Sequence, residues 1–216
     1  MYYLTFSISS ECGLSDAAYN TQSKLFILNV LTEDFKKNSV VAITRSDDIP
    51  GLKSHLIKDF DSLNISRQKK YSLIIGRKVS HGIMGSIEKN GGMPIYPLLA
   101  SDGVEIFQAL VLEKDKVDVI LDAVSRYNHI ENFDSMRLEA SVSIPAMMAS
   151  SMADIMFDLT DTEKNVLLNA YRMGYFSWPR GNDLSNLAAY LKMAKPTALY
   201  HLRNAEKKIM KMLFWH

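Results

Sequence analysis

Between Lys192 and Lys211 the charged side chains are Lys192, Lys195, Arg203, Lys207, Lys208 and Lys211, opposed by Glu206 alone. A cationic excess of that density is what neutralising a row of phosphates requires. Thr197, Tyr200, His201 and Asn204 are interleaved with it, and short polar side chains and amides are groups that meet base edges in a groove. The chemistry on offer is binding to double-stranded DNA. Thr197, Tyr200, His201 and Asn204 would face the groove. Lys195, Arg203, Lys207 and Lys208, with Arg180 from an upstream connection, would sit on phosphates and fix the register. The competing reading is a solvated basic face.

Helices must position these residues. Ala198, Leu202, Ala205, Ile209 and Met212 recur at spacings of three and four, which predicts a helix with one buried stripe and the polar set on its other side. Pro196 suits its first turn, where a missing N–H costs nothing. Upstream, Asp183 precedes a short segment with Leu184, Leu187, Ala188 and Leu191 on one face. Such a segment is too short to persist unless it packs on its neighbours. Lys192-Met193-Ala194-Lys195 is the turn between the two. Further back, Thr160-Asp161-Thr162-Glu163 is a capping-box pattern that predicts a helix start. Val166, Leu167, Ala170 and Tyr171 supply its apolar stripe and Gly174 ends it. Tyr175, Phe176, Trp178 and Pro179 follow; core packing that braces the long connection is expected of them, with single-strand stacking as the alternative.

Leu159-Thr160-Asp161-Thr162-Glu163, the segment Ala170-Tyr171-Arg172-Met173-Gly174-Tyr175-Phe176-Ser177-Trp178-Pro179-Arg180, Leu187-Ala188 and His201-Leu202-Arg203-Asn204-Ala205-Glu206 together carry a resemblance. The stretch resembles the helix-turn-helix domain of archaeal bacterioopsin-activator-type (Bat-type) transcriptional regulators. Its most specific part is Ala-Tyr-x-x-Gly-Tyr-Phe-x-x-Pro-Arg, because generic helix-turn-helix units lack this long first connection. The likeness covers the last quarter of the chain and extends more loosely into Met84 to Leu112. It implies an archaeal transcription regulator. Two positions depart from the pattern: Lys192 stands where the turn commonly has glycine, and Ala194 where a serine or threonine would cap the recognition helix. A poor cap costs about 1 kcal/mol.

A chain of 216 residues holds one large domain or two modest ones. Its net charge is +1, so a basic surface must be local, as in a small basic module joined to a neutral or acidic one. Cys12 is the single cysteine, which excludes an intrachain disulfide and a cysteine-based zinc finger; an inert thiol near a strand end is expected. His55, His81, His129, His201 and His216 have no metal-ligand spacing, and no serine or cysteine stands in a nucleophile motif. Pairs such as Asp47-Asp48 read as turn residues. No catalytic residue, metal or cofactor is therefore assigned. No apolar run approaches the ~20 residues of a membrane span, and the N-terminus lacks a basic start followed by an apolar stretch. A cytoplasmic protein is expected.

The rest of the chain alternates strands and helices. Strands are predicted at Tyr2–Ser9, Lys24–Leu31 and Ser39–Arg45, with a helix at Leu14–Thr21. Pro50 opens a helix with a stripe of Leu52, Leu56, Phe60 and Leu63, and Lys70–Ile75 is the next strand. A helix at Ser80–Asn90, strands at Ile95–Leu99 and Val104–Leu112 hinged by Asp102-Gly103, a helix at Lys114–Tyr127 and a strand near Ser135–Val142 repeat the order. This element order predicts an α+β fold: a tandem ferredoxin-like domain over residues 1–142, with Lys70–Arg77 shared or at the junction. Residues 143–158 form a linker. Met148, Met152 and Ile155 fall there at helical spacing, which fits either a helix that pairs two subunits or a loosely packed connection. Residues 159–216 are the all-α helix-turn-helix domain. His81-Gly82 and Gly85, between a strand and a helix, are the candidate ligand-binding residues of the first domain.

The expectation is a sequence-specific DNA-binding transcription regulator, not an enzyme. Its N-terminal domain would dimerise the chain or sense a small-molecule effector. The rivals are an adaptor whose C-terminal helices dock a partner of the transcription machinery, and an α+β ligand-binding enzyme with a regulatory tail.

Overall fold

In a computed structural model of the chain, the structure describes residues 1–9, 12–34, 36–68, 71–138 and 159–214. The chain divides into two compact units, residues 1–148 and 149–216.

The first unit runs β1 (Tyr2–Ser9), α1 (Gly13–Asn20), β2 (Leu25–Asp34), β3 (Lys37–Thr44), α2 (Ile49–Leu56), β4 (Phe60–Gln68), β5 (Tyr71–Val79), α3 (Ile83–Lys89), β6 (Gly92–Pro94), β7 (Leu98–Ser101), β8 (Val104–Val111), α4 (Lys114–Ser125) and β9 (His129–Arg137). Its strands build one nine-stranded sheet in the order β4-β5-β3-β2-β7-β8-β1-β9, with β6 also on β8. Alternation decides which face is covered. In β3 every second residue is buried, and in β1 Leu4, Phe6 and Ile8 point inward. These inward residues share one core with Leu14 and Ala17 of α1, Leu52 and Leu56 of α2, Ile87 of α3 and Ile120 of α4. Phe6 lies opposite Phe107 in the register, and the two rings stack at 5.4 Å. Full burial of a side chain such as Leu52 or Ile120 contributes about 1.5–3 kcal/mol. The opposite face exposes Leu31 and Ile75.

The prediction and the structure part at several places: the strand expected near Ser135–Val142 runs earlier, as β9, and β4 and β6 are strands where none was expected. The predicted helical stripe of Leu52, Leu56, Phe60 and Leu63 breaks after Leu56: Phe60 and Leu63 lie on β4, where pairing with β5 satisfies the backbone. A spacing of four and then three fits a helix, yet it also fits a helix followed by a strand that happens to start in phase. Two self-contained sheets do not form either. The strand β5, not β1, lies between β4 and β3; β1 lies between β8 and β9; and pairing of β2 with β7 makes the sheet continuous. The segment around Met148 to Ile155, for which a pairing helix and a loosely packed connection were both open, falls outside the described residues.

The second unit contains α5 (Asp161–Arg172), α6 (Leu184–Tyr190) and α7 (Lys195–Phe214). Val166, Ala170, Leu187 and Leu202 form its core, with Leu167, Tyr175, Leu184 and Leu191 packed against them. The predicted stripe of α7 is buried at Ala198, Leu202 and Ala205.

Candidate nucleic-acid interface

Local hydrogen bonds set the three helices. Thr160 Oγ1 accepts from the Glu163 amide at 3.2 Å, and Glu163 Oε2 accepts from the Thr160 amide at 2.8 Å, so the predicted capping box starts α5. At its end the Tyr175 amide donates to the Ala170 carbonyl at 2.9 Å and the Gly174 amide to the Tyr171 carbonyl at 3.0 Å. This double closure needs a left-handed residue at Gly174, whose φ is 74°. Asp183 Oδ1 caps α6 through the Asn186 amide at 2.9 Å. The same closure then recurs where glycine is missing. The Met193 amide donates to Ala188 and the Lys192 amide to Ala189, and Lys192 takes φ 53°. An L side chain in that conformation costs about 1–2 kcal/mol.

On α7, Thr197, Tyr200, Arg203 and Lys207 are exposed, and His201, Asn204 and Lys208 are half-buried. Thr197, Tyr200, Asn204 and Lys207 follow at spacings of three and four, so they share one side of the helix, away from Ala198 and Leu202. Lys195 stands exposed in the first turn. The Tyr200 and His201 rings meet edge to face at 5.4 Å. Two predicted phosphate contacts have acidic partners within the unit. Arg203 pairs with Glu206 at 2.8 Å, one turn along. Lys208 donates to Glu163 at 2.6 Å, which draws it toward α5 and away from the Thr197–Lys207 side. Burial would raise the Glu163 carboxyl, but the bonds from Lys208 and the Thr160 amide outweigh it and hold it below the ordinary carboxylate range.

The first connection departs from the core packing expected of its aromatics. Tyr175 is half-buried on the core, and Phe176 meets it edge to face at 5.2 Å. Trp178, however, is 96% exposed. The reason is the neck of the loop: the Gly174 carbonyl accepts from both the Ser177 and Gly181 amides, at 3.1 and 3.0 Å. The loop thereby closes on itself and projects its tip outward. Arg180 lies over the Tyr175 ring at 4.7 Å.

Gly82 is the left-handed residue before α3, and Gly85 is buried within that helix. His81 lines a cavity of about 40 Å³, whose polar wall also includes Asn38, Lys78 and Glu105 and whose apolar wall includes Val40, Met84 and Phe107. Asn38, Lys78 and Glu105 are at least nine-tenths buried. Lys78 Nζ donates to Cys12 Sγ at 2.9 Å. Burial, reinforced by Glu105, pushes the Cys12 thiol up to about 12. Burial alone would lower Lys78, yet Cys12 and Glu105 beside it leave its ammonium raised. Nothing in the residue spacing announced this cluster; the inward phase of β5 (Ser72, Ile74, Gly76, Lys78) was the available signal for Lys78.

Residues 159–211 match the HTH_10 family model, an HTH DNA binding domain. A protein of Haloferax volcanii that bears a transcriptional-regulator name is 41% identical over 56 residues, which cover 26% of this chain and 10% of that protein. The dimethyl sulfoxide reductase transcriptional activator of Halobacterium salinarum is 26% identical over 125 residues, 58% of this chain and 55% of its own length. The chain thus spans about a tenth of the first relative and just over half of the second.

Proposed function

Because residues 159–211 form a helix-turn-helix domain of the archaeal bacterioopsin-activator type, we propose that the chain is a sequence-specific DNA-binding transcription regulator that acts in the cytoplasm. The carrying observation is the side of α7 that bears Thr197, Tyr200, Asn204 and Lys207, set away from the buried stripe of Ala198 and Leu202. In this reading α7 enters the major groove. Thr197, Tyr200, His201 and Asn204 meet base edges, while Lys195, Arg203, Lys207 and Arg180 hold phosphates. Lys208 serves the fold first, through Glu163.

Residues 1–142 are read as the sensing or dimerising domain and 143–158 as the linker. The strand order supports two ferredoxin-like units that have exchanged their first strands: β4-β5-β3-β2 and β9-β1-β8-β7 each have the four-strand order of that unit once β5 and β1 trade places. The open sheet face with Leu31 and Ile75 supports pairing of two chains. A homodimer would meet two half-sites spaced by about one helical turn.

The test is selection of genomic fragments by the full chain at moderate salt with excess competitor DNA. Enrichment of a palindromic site is expected. Enrichment of nothing favours the adaptor reading, and a short single site bound by a monomer removes the dimer.

A further inference from the structure

We propose that Cys12, Asp59 and His81 form a binding site for a divalent transition-metal cation of the zinc class. The three residues come from three separate connections: Cys12 precedes α1, Asp59 lies between α2 and β4, and His81 between β5 and α3. Their donor atoms nevertheless all lie within 4.8 Å of one another. His81 Nε2 and Asp59 Oδ2 are 3.7 Å apart. Ligand bonds of about 2.0–2.3 Å in a tetrahedron need donor atoms about 3.3–3.8 Å apart, so this edge is already formed.

Independent observations at the same place point to a ligand. His81 Nε2 is buried without a hydrogen-bond partner, and so is Oε1 of the neighbouring Glu105. A buried unpaired polar atom costs about 1–3 kcal/mol, and a cation accepting the His81 lone pair removes one such cost. The surroundings suit the ligands. The Gly13 amide donates to Asp59 Oδ2 at 2.5 Å and fixes that carboxylate. Lys78 donates to Cys12 Sγ, as a group beside a metal-bound thiolate would. Among the described residues of this cluster Asp59 and Glu105 oppose Lys78, so it is formally negative; a divalent cation that displaces the Cys12 proton leaves it neutral. A sulfur, a nitrogen and an oxygen donor select zinc or cobalt over magnesium or calcium. Three protein ligands leave a fourth position open, next to a cavity of about 40 Å³ that has room for about three or four waters at about 10–15 Å³ each. That occupancy would regulate DNA binding rests on the regulator reading; the cation binding does not.

The test uses the full chain, freed of metal by a chelator and titrated with cobalt(II). Cys12 is the single cysteine, so a thiolate-to-cobalt charge-transfer band can arise only there. A saturable band with one cobalt per chain, reversed by zinc, is expected. Cys12→Ser should abolish the band, and His81→Gln and Asp59→Asn should each weaken cobalt at least about tenfold. Circular dichroism confirms that each variant is folded, and if Cys12→Ser is not, the other two carry the test. Absence of the band in folded protein, or a band indifferent to both His81→Gln and Asp59→Asn, overturns the site. Fragment selection on the same preparation separates the two readings: enrichment without the band removes the site and keeps the regulator, and the band without enrichment does the reverse.

Discussion

Lys208 Nζ lies 2.6 Å from Glu163 Oε2, and the same oxygen accepts the Thr160 amide. One carboxylate thereby starts α5 and ties α7 to it. The Glu163 side chain is 6% exposed, so water screens this pair far less than a surface ion pair. The position of α7 and the cap of α5 are set by one group.

Glu163→Gln should destabilise the second unit by about 2 kcal/mol, the range for hydrogen bonds to charged groups. The carboxyl is held below its ordinary 4.5, so its contribution is present above that pH and is lost as pH falls through the lower folded value. Hydrogen exchange of the α5 amides should show the full difference near neutral pH. The difference should shrink below pH 4.5 and vanish under stronger acid; a pH-independent difference would assign the effect to shape rather than charge.

Lys192→Gly should stabilise the same unit by about 1 kcal/mol, because glycine adopts the left-handed conformation without the Cβ conflict. Lys192→Ala is the control: it retains the Cβ and should gain little. For a unit of this size the glycine variant should melt about 4–8 °C higher. Equal melting of both variants would show that Lys192 bears no strain.

Replacing Arg203 and Lys207 together with alanine should weaken binding to every DNA sequence. The slope of log affinity against log salt should flatten by about two, one for each phosphate that is no longer neutralised. Asn204→Ala should instead relax preference at one base position by about 1–3 kcal/mol and leave the slope unchanged. Competition binding at several salt concentrations separates these outcomes. Loss of sequence preference in the double variant would move Arg203 or Lys207 from phosphate to base.

Local signals in the sequence were readable where the physics is local. The capping box at Thr160 and Glu163, the stripe of Ala198, Leu202 and Ala205, and the turn at Asp102-Gly103, where both residues have positive φ, each need only a few adjacent positions. Phe60 was misplaced because its spacing from Leu56 fits two structures, and only pairing with β5 chooses between them. The exchange of β1 and β5 depends on which strands meet across the sheet, which no window of residues encodes. Cys12, Asp59 and His81 meet for the same reason, across connections far apart in the chain.

The first connection of the second unit yields the sharpest contrast between neighbouring aromatics. Trp178 is almost fully exposed, so Trp178→Ala should change stability by no more than about 0.5 kcal/mol. Tyr175 packs on the core, closes the end of α5 through its amide and carries Arg180 over its ring. Tyr175→Ala should cost about 2 kcal/mol through the packing it removes, with a further ~0.5–1 kcal/mol from the cation–π interaction. Thermal melting of the two variants decides the matter: Tyr175→Ala should fall well below the parent protein and Trp178→Ala should match it. A comparable fall for Trp178→Ala would return that ring to the core and contradict the outward loop tip.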